Sequence, residues 1–85
     1  MVYGVAQLNF EGNAMWSKNP AESKAAMEKV ALALKHSDLA MVRKASSLLS
    51  EKGGTARDYM LEALKDESLS DAARVTIQTY YTMSG

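Results

Sequence analysis

Apolar and polar positions follow two different rhythms along this chain. From residue 20 onward the apolar residues recur at helical spacing. Met27, Val30, Ala31 and Leu34 fall at i, i+3, i+4 and i+7 and make one stripe. Leu39, Val42, Ala45 and Leu49 make a second, with Met41 and Leu48 alongside. Tyr59, Met60, Ala63 and Leu64 make a third, and Leu69, Ala73, Ile77, Tyr80 and Met83 a fourth. Ahead of these the stretch "VYGVAQLNF" alternates, with Val2, Ala6, Leu8 and Phe10 on one side and Tyr3, Gln7 and Asn9 on the other. A period of two suits a half-buried strand or an extended arm.

Cap signals bound the helices. Asn19 is a good N-cap, Pro20 suits the first helical position, and Glu22 can reach back as the capping-box partner. The first helix is therefore predicted from about Pro20 to Lys35. Ser37 or Asp38 caps a second, running to about Lys52. "GG" at 53–54 ends it, with the first glycine in a left-handed conformation that a side chain resists. Thr55 caps a third helix, with Asp58 three residues on. Ser68 and Asp71 repeat the signal before a fourth that reaches about Met83. "EGNAMWSKN" reads as a loop and carries the lone tryptophan, Trp16.

The predicted fold class is all-α: four helices in two antiparallel helical hairpins, with an extended N-terminal segment. Residues 1–19 form an arm or cap and residues 20–85 the helical domain. One alternative competes. "VTIQTYYT" is β-branched and aromatic, which favours a strand, and Val75, Ile77, Thr79 and Tyr81 alternate. On that reading residues 2–10 and 75–82 pair as strands and the fold is α+β.

The chain also repeats itself. Residues 33–39 read "ALKHSDL" and residues 63–69 read "ALKDESL". Laying 25–48 over 55–78 matches Ala26 with Ala56, Glu28 with Asp58, Ala33-Leu34-Lys35 with Ala63-Leu64-Lys65, and Leu39 with Leu69. With one residue of slip, Val42-Arg43 meets Ala73-Arg74. Each copy is a helix, a polar turn and a second helix.

"SDLAMVRKASSLLSEKG" resembles the turn and second helix of a HEAT-type repeat, on Asp38, Val42, Arg43, Ala45, Leu48 or Leu49, and Gly53. The second copy has Asp66, Ala73 and Arg74, but Thr76 where alanine would stand, and its helix is aromatic where leucine is usual. The resemblance covers about residues 25–83 and encodes helix packing, with no chemistry. It implies a structural role for Asp38 and Arg43, and for Asp66 and Arg74, in bonds to backbone or to the neighbouring repeat. It also implies a scaffold that binds partners along a face. Two repeats are few, since about three or more are usually needed to bury a continuous core. The open ends call for a cover, from residues 1–19 or from a second copy of the chain.

Composition narrows the classes. A chain of 85 residues makes one domain with a thin core. Without cysteine it has no disulfide framework, thiolate metal site or cysteine nucleophile. No basic region followed by an apolar run opens the sequence, and no stretch nears the length of a membrane span, so a soluble cytoplasmic protein is expected. Ten basic and ten acidic side chains cancel, which argues against a dedicated nucleic-acid binder. They are unevenly spread: residues 1–57 hold eight Lys or Arg against five acids, +3, and residues 58–85 hold two against five, −3. Such polarity can steer a partner or favour head-to-tail self-contact.

Candidate chemistry is sparse. The one histidine, His36, sits in a polar turn, and without a second a histidine-pair zinc site cannot form. Glu62, Asp66, Glu67 and Asp71 read as a solvated acidic face, and no EF-hand loop surrounds them. "EKGGTAR" could cradle an anion on glycine amides beside Lys52 and Arg57, but a helix end followed by a helix start explains every residue. A DNA-reading helix–turn–helix is disfavoured by Asp58, Glu62, Asp66 and Glu67 on the would-be recognition helix. No catalytic residue, metal or cofactor is therefore expected. The predicted function is a small protein–protein interaction module, an adaptor, regulator or inhibitor of a larger complex, with no chemistry of its own. Met15, Trp16, Tyr80 and Tyr81, as large apolar anchors, and the basic Arg43, Lys44 and Lys52 are the predicted partner-binding residues. The alternative is a nucleic-acid-associated accessory protein using Lys35, Arg43, Lys44, Lys52 and Arg57. Self-association is a further expectation, from the unpaired arm and the open repeat ends.

Overall fold

The computed structural model describes residues 12–84. A 3-10 helix, Gly12–Trp16, leads into α1, Pro20–Leu32, which tightens into a second 3-10 turn at Ala33–Lys35. α2 spans Leu39–Lys52, α3 Thr55–Leu64 and α4 Asp71–Ser84. The fold is all-α, with no strand among the described residues. Residues 75–82 lie inside α4, which overturns the paired-strand alternative for that segment. The expected extended arm at residues 2–10 lies outside the described residues.

Consecutive helices pair as hairpins, and the second hairpin lies beside the first. α1 packs on α2 and α3, and α3 packs on α4. The most extensive contact is α2 against α4, while α1 and α4 do not meet. α2 is the centre, touching every other helix and both 3-10 turns. Its buried face, Met41, Val42, Ala45, Ser46 and Leu49, joins Val30 and Leu34 of the first hairpin with Ala56, Met60, Ala63 and Ile77 of the second in one core.

The caps show where local chemistry sets the boundaries. Asn19 Oδ1 accepts from the Ala21 and Glu22 amides at 3.0 and 3.4 Å. Glu22 does not complete the predicted capping box directly. Its carboxylate accepts from the Ser17 hydroxyl at 2.7 Å, and that hydroxyl oxygen accepts from the Asn19 amide at 3.1 Å, so the box is relayed through Ser17. Of the two candidates for α2, Asp38 is the cap, accepting from the Ala40 amide at 3.0 Å. Gly53 and Gly54 have φ of +65° and +53°. Both lie where a Cβ is disfavoured, and this allows the chain to reverse between α2 and α3 with these two residues alone.

Two predicted caps are displaced. α3 begins at Thr55 itself behind Gly54, and the Thr55 hydroxyl turns to Met27 Sδ at 3.8 Å. α4 is capped by Ser70, whose Oγ accepts from the Ala73 amide at 3.2 Å. Ser68 instead closes the turn on Asp66. Within α4 the β-branched residues are accommodated by back-bonding: the Thr76 and Thr79 hydroxyls donate to the Ala72 and Val75 carbonyls at 2.9 and 2.8 Å. That contact satisfies a threonine hydroxyl in a helix.

Candidate functional site

The predicted partner-binding residues fall into three environments. Met15 is fully buried, and its carbonyl accepts from the Ser23 hydroxyl at 2.7 Å. This is a correction: a side chain with no exposed surface cannot anchor a partner. The 3-10 turn sets Met15 over α1, where the thin core of the first hairpin takes it up. Trp16, the next residue, remains 46% exposed. Arg43 and Lys44 are exposed on α2, and Lys52 is half-buried at its end.

Tyr80 and Tyr81 are half-buried on α4 and pack against the core. The Arg57 guanidinium lies 4.4 Å from the centre of the Tyr81 ring, close enough for a cation–π contact, and its Nε donates to Ser84 Oγ at 2.8 Å. Ser84 in turn donates to the Tyr81 carbonyl at 2.7 Å. Arg57 therefore fastens the carboxyl end of α4 to α3. Among the residues of the nucleic-acid alternative, Arg57 is occupied here and Lys35 by Asp66, which leaves Arg43, Lys44 and Lys52 on α2.

The turns of the two hairpins meet in a groove of about 320 Å³ lined by Lys35, His36, Asp66, Ser68 and Leu69 among others. Lys35 Nζ lies 3.1 Å from Asp66 Oδ2 across it. The hydroxyl of Ser68, then its amide, then Lys35 hold the Asp66 carboxyl down at a pKa of about 2. His36 Nδ1 accepts from the Asp38 amide at 2.9 Å, which shapes the turn. A larger groove, about 480 Å³, opens at the amino ends of α1 and α3. Lys18, Pro20, Lys24, Met27, Thr55 and Tyr59 contribute to its lining. Burial first, then the charges of Glu28 and Asp58, push the Tyr59 hydroxyl above its ordinary pKa, so the phenol stays neutral.

The surface that sequence reasoning missed is the outer side of α4. Met83 was expected in the buried stripe but is 68% exposed, and Val75, on the same helix, is 61% exposed. From Val75 to Ser84 the helix carries no charge: "VTIQTYYTMS". The repeat offset that lays Val42-Arg43 on Ala73-Arg74 lays Lys44 on Val75 and Lys52 on Met83. Where the first hairpin presents lysines, the second presents apolar groups. That substitution was the available signal, hidden because Met83 continues by spacing the stripe of Leu69, Ala73, Ile77 and Tyr80, which does face the core. Leu61 on α3 is a further exposed large apolar residue.

No group of three potential ligands that could hold a metal ion occurs among the described residues. None of the described helices is long and apolar enough to cross a membrane. Comparison of the chain with protein-family models, with curated proteins and with solved structures finds no match.

Proposed function

We propose that the chain is a small protein–protein interaction module, built as two HEAT-type helical hairpins, that binds a larger partner through the outer side of α4. The observation that carries this reading is the exchange of Lys44 and Lys52 in α2 for exposed Val75 and Met83 in α4. An apolar side chain left in water forgoes about 1.5–3 kcal/mol of burial, which a partner surface would recover. Among the described residues α4 packs on α2 and α3 with one side, and no described element covers the other. Helical stacks bury their apolar faces against neighbours, so an uncharged, partly apolar end invites one.

The partner's contribution on this reading is an apolar patch with a polar rim, and the mechanism is occlusion or bridging of surfaces. The test is affinity capture from extract of the source organism with the wild-type chain and with a V75K/M83K double variant, which writes the first hairpin's residues into the second. Retained proteins lost only with the double variant support the reading. Identical retention by both chains contradicts it.

A further inference from the structure

A different face, formed by α1 and α3, is self-complementary in charge, and none of its residues belongs to the α4 surface. The amino ends of both helices open on the groove of about 480 Å³, so the two helices run in the same direction. The residues lining that groove include Lys18 and Lys24 and no acid. One turn further along the same helices the sign reverses. Glu28 follows Lys24 at i+4 on α1, Asp58 follows Thr55 at i+3 on α3, and all are exposed. Tyr59 lies between the two zones, within the fields of Glu28 and Asp58. Glu62 comes next, but it is neutralised by Lys65 at 3.3 Å. Beyond Glu28, again at i+4, stands Leu32, 77% exposed and the most exposed large apolar residue described.

Two copies laid face to face in the same direction would set lysine on lysine and acid on acid. Turned about a two-fold axis near Met27 and Tyr59, they set Lys18 and Lys24 of each copy on Glu28 and Asp58 of the other, twice over. The same rotation carries Leu32, about 7.5 Å past Met27 at 1.5 Å per residue, to the level of the partner's groove, which begins at Pro20 about 10 Å the other way. A patch that satisfies itself under two-fold rotation is the requirement for an isologous dimer. We propose that this face binds a second copy of the chain, with Leu32 seated in the partner's groove between its basic rim and the floor of Met27 and Tyr59.

The test is light scattering coupled to gel filtration, with sedimentation equilibrium, on the full chain from micromolar to millimolar concentration in low and high salt. The expected result is a dimer that weakens as salt rises. K24E and D58K should each weaken it roughly tenfold or more, since each turns two attractive pairs into repulsive ones. The K24E/D58K double variant should recover part of the loss relative to either single variant, because positions 24 and 58 again carry opposite charges, while Glu28 and Lys18 keep their own. Leu32→Ser should weaken the dimer without altering its salt dependence. Far-ultraviolet circular dichroism confirms that each variant keeps its helices; all the substituted residues are exposed. A monomer throughout, or a dimer indifferent to K24E and D58K, overturns the proposal. Either result leaves the α4 reading standing, since capture with V75K/M83K tests that face alone.

Discussion

The Arg74 guanidinium donates from Nη1 to the Leu64 carbonyl at 2.6 Å and from Nη2 to the Asp66 carbonyl at 3.0 Å. A residue in the first turn of α4 thus closes the carboxyl end of α3, where the last carbonyls of a helix lack intrahelical partners. The positive charge also suits that end of the helix dipole. Arg74 is half-buried, so these bonds are partly shielded from water. Its counterpart in the first hairpin, Arg43, is exposed, and there Asp38 caps α2 through the Ala40 amide.

Arg74→Ala should cost about 1.5–3 kcal/mol, the usual range for hydrogen bonds to a charged group. Arg74→Lys should recover only part of it, since one ammonium cannot reproduce the two-pronged geometry. Urea unfolding followed by circular dichroism measures both, and an alanine variant as stable as the wild type would contradict the assignment.

The Asp66 carboxylate gives the acid limb of stability. Its ordinary pKa is 3.8 and in the fold it is about 2. Above about pH 5 the group is ionised in both folded and unfolded chains, and its contribution is fully present. As pH falls from about 4 to 2 the unfolded chain takes up the proton first, so stability falls through that window. Asp66→Asn should remove this part of the pH dependence and leave the melting temperature at pH 2 nearer its value at pH 5. The side chain is solvent-accessible, so the effect is modest.

Met15 is fully buried against α1 in the 3-10 turn. Met15→Ala should destabilise by about 2–5 kcal/mol through lost burial and the cavity left behind. Met15→Leu, similar in volume, should cost less than about 1.5 kcal/mol. Thermal melts of the two variants side by side separate a packing role from a dispensable one, because a dispensable Met15 would leave both curves unchanged.

Ser46 sits fully buried in the middle of α2, and its hydroxyl has no hydrogen-bond partner among the described residues. An unsatisfied buried hydroxyl carries a desolvation cost of about 1–3 kcal/mol. Ser46→Ala removes it without adding volume and should stabilise the fold by about 1 kcal/mol, seen as a higher denaturant midpoint at unchanged slope. A lower midpoint would show that the hydroxyl has a partner.

Much of the architecture was legible because periodicity and caps agreed. The stripe of Leu39, Val42, Ala45 and Leu49 reads as one face, and Asn19, Asp38 and the Gly53-Gly54 pair mark their ends with specific chemistry. Ser70 was harder to find, since "DESLSD" offers several cap residues and only the three-dimensional turn assigns Ser68 to Asp66 and Ser70 to the helix. α4 was ambiguous because its β-branched residues fit either period. The helix prevails because Ala73 and Ile77 must both meet the core while Thr76 and Thr79 bond backwards. Met15 was misread as exposed because a five-residue 3-10 turn has no periodicity to reveal its inner side. The α4 surface was hidden for the opposite reason: Met83 fits a helical stripe by spacing, and only the tertiary position of the helix end shows that it points away from the core.

Placing a photo-crosslinking amino acid at Val75, and separately at exposed Ala25 of α1, in the living source cells tests the central claim most directly. If the outer side of α4 binds a partner, the Val75 chain forms a discrete crosslinked species of higher mass and the Ala25 chain does not form that species. The crosslink should also disappear when Met83→Lys is added. Equal formation of that same species from both positions, or none from Val75, would contradict the claim.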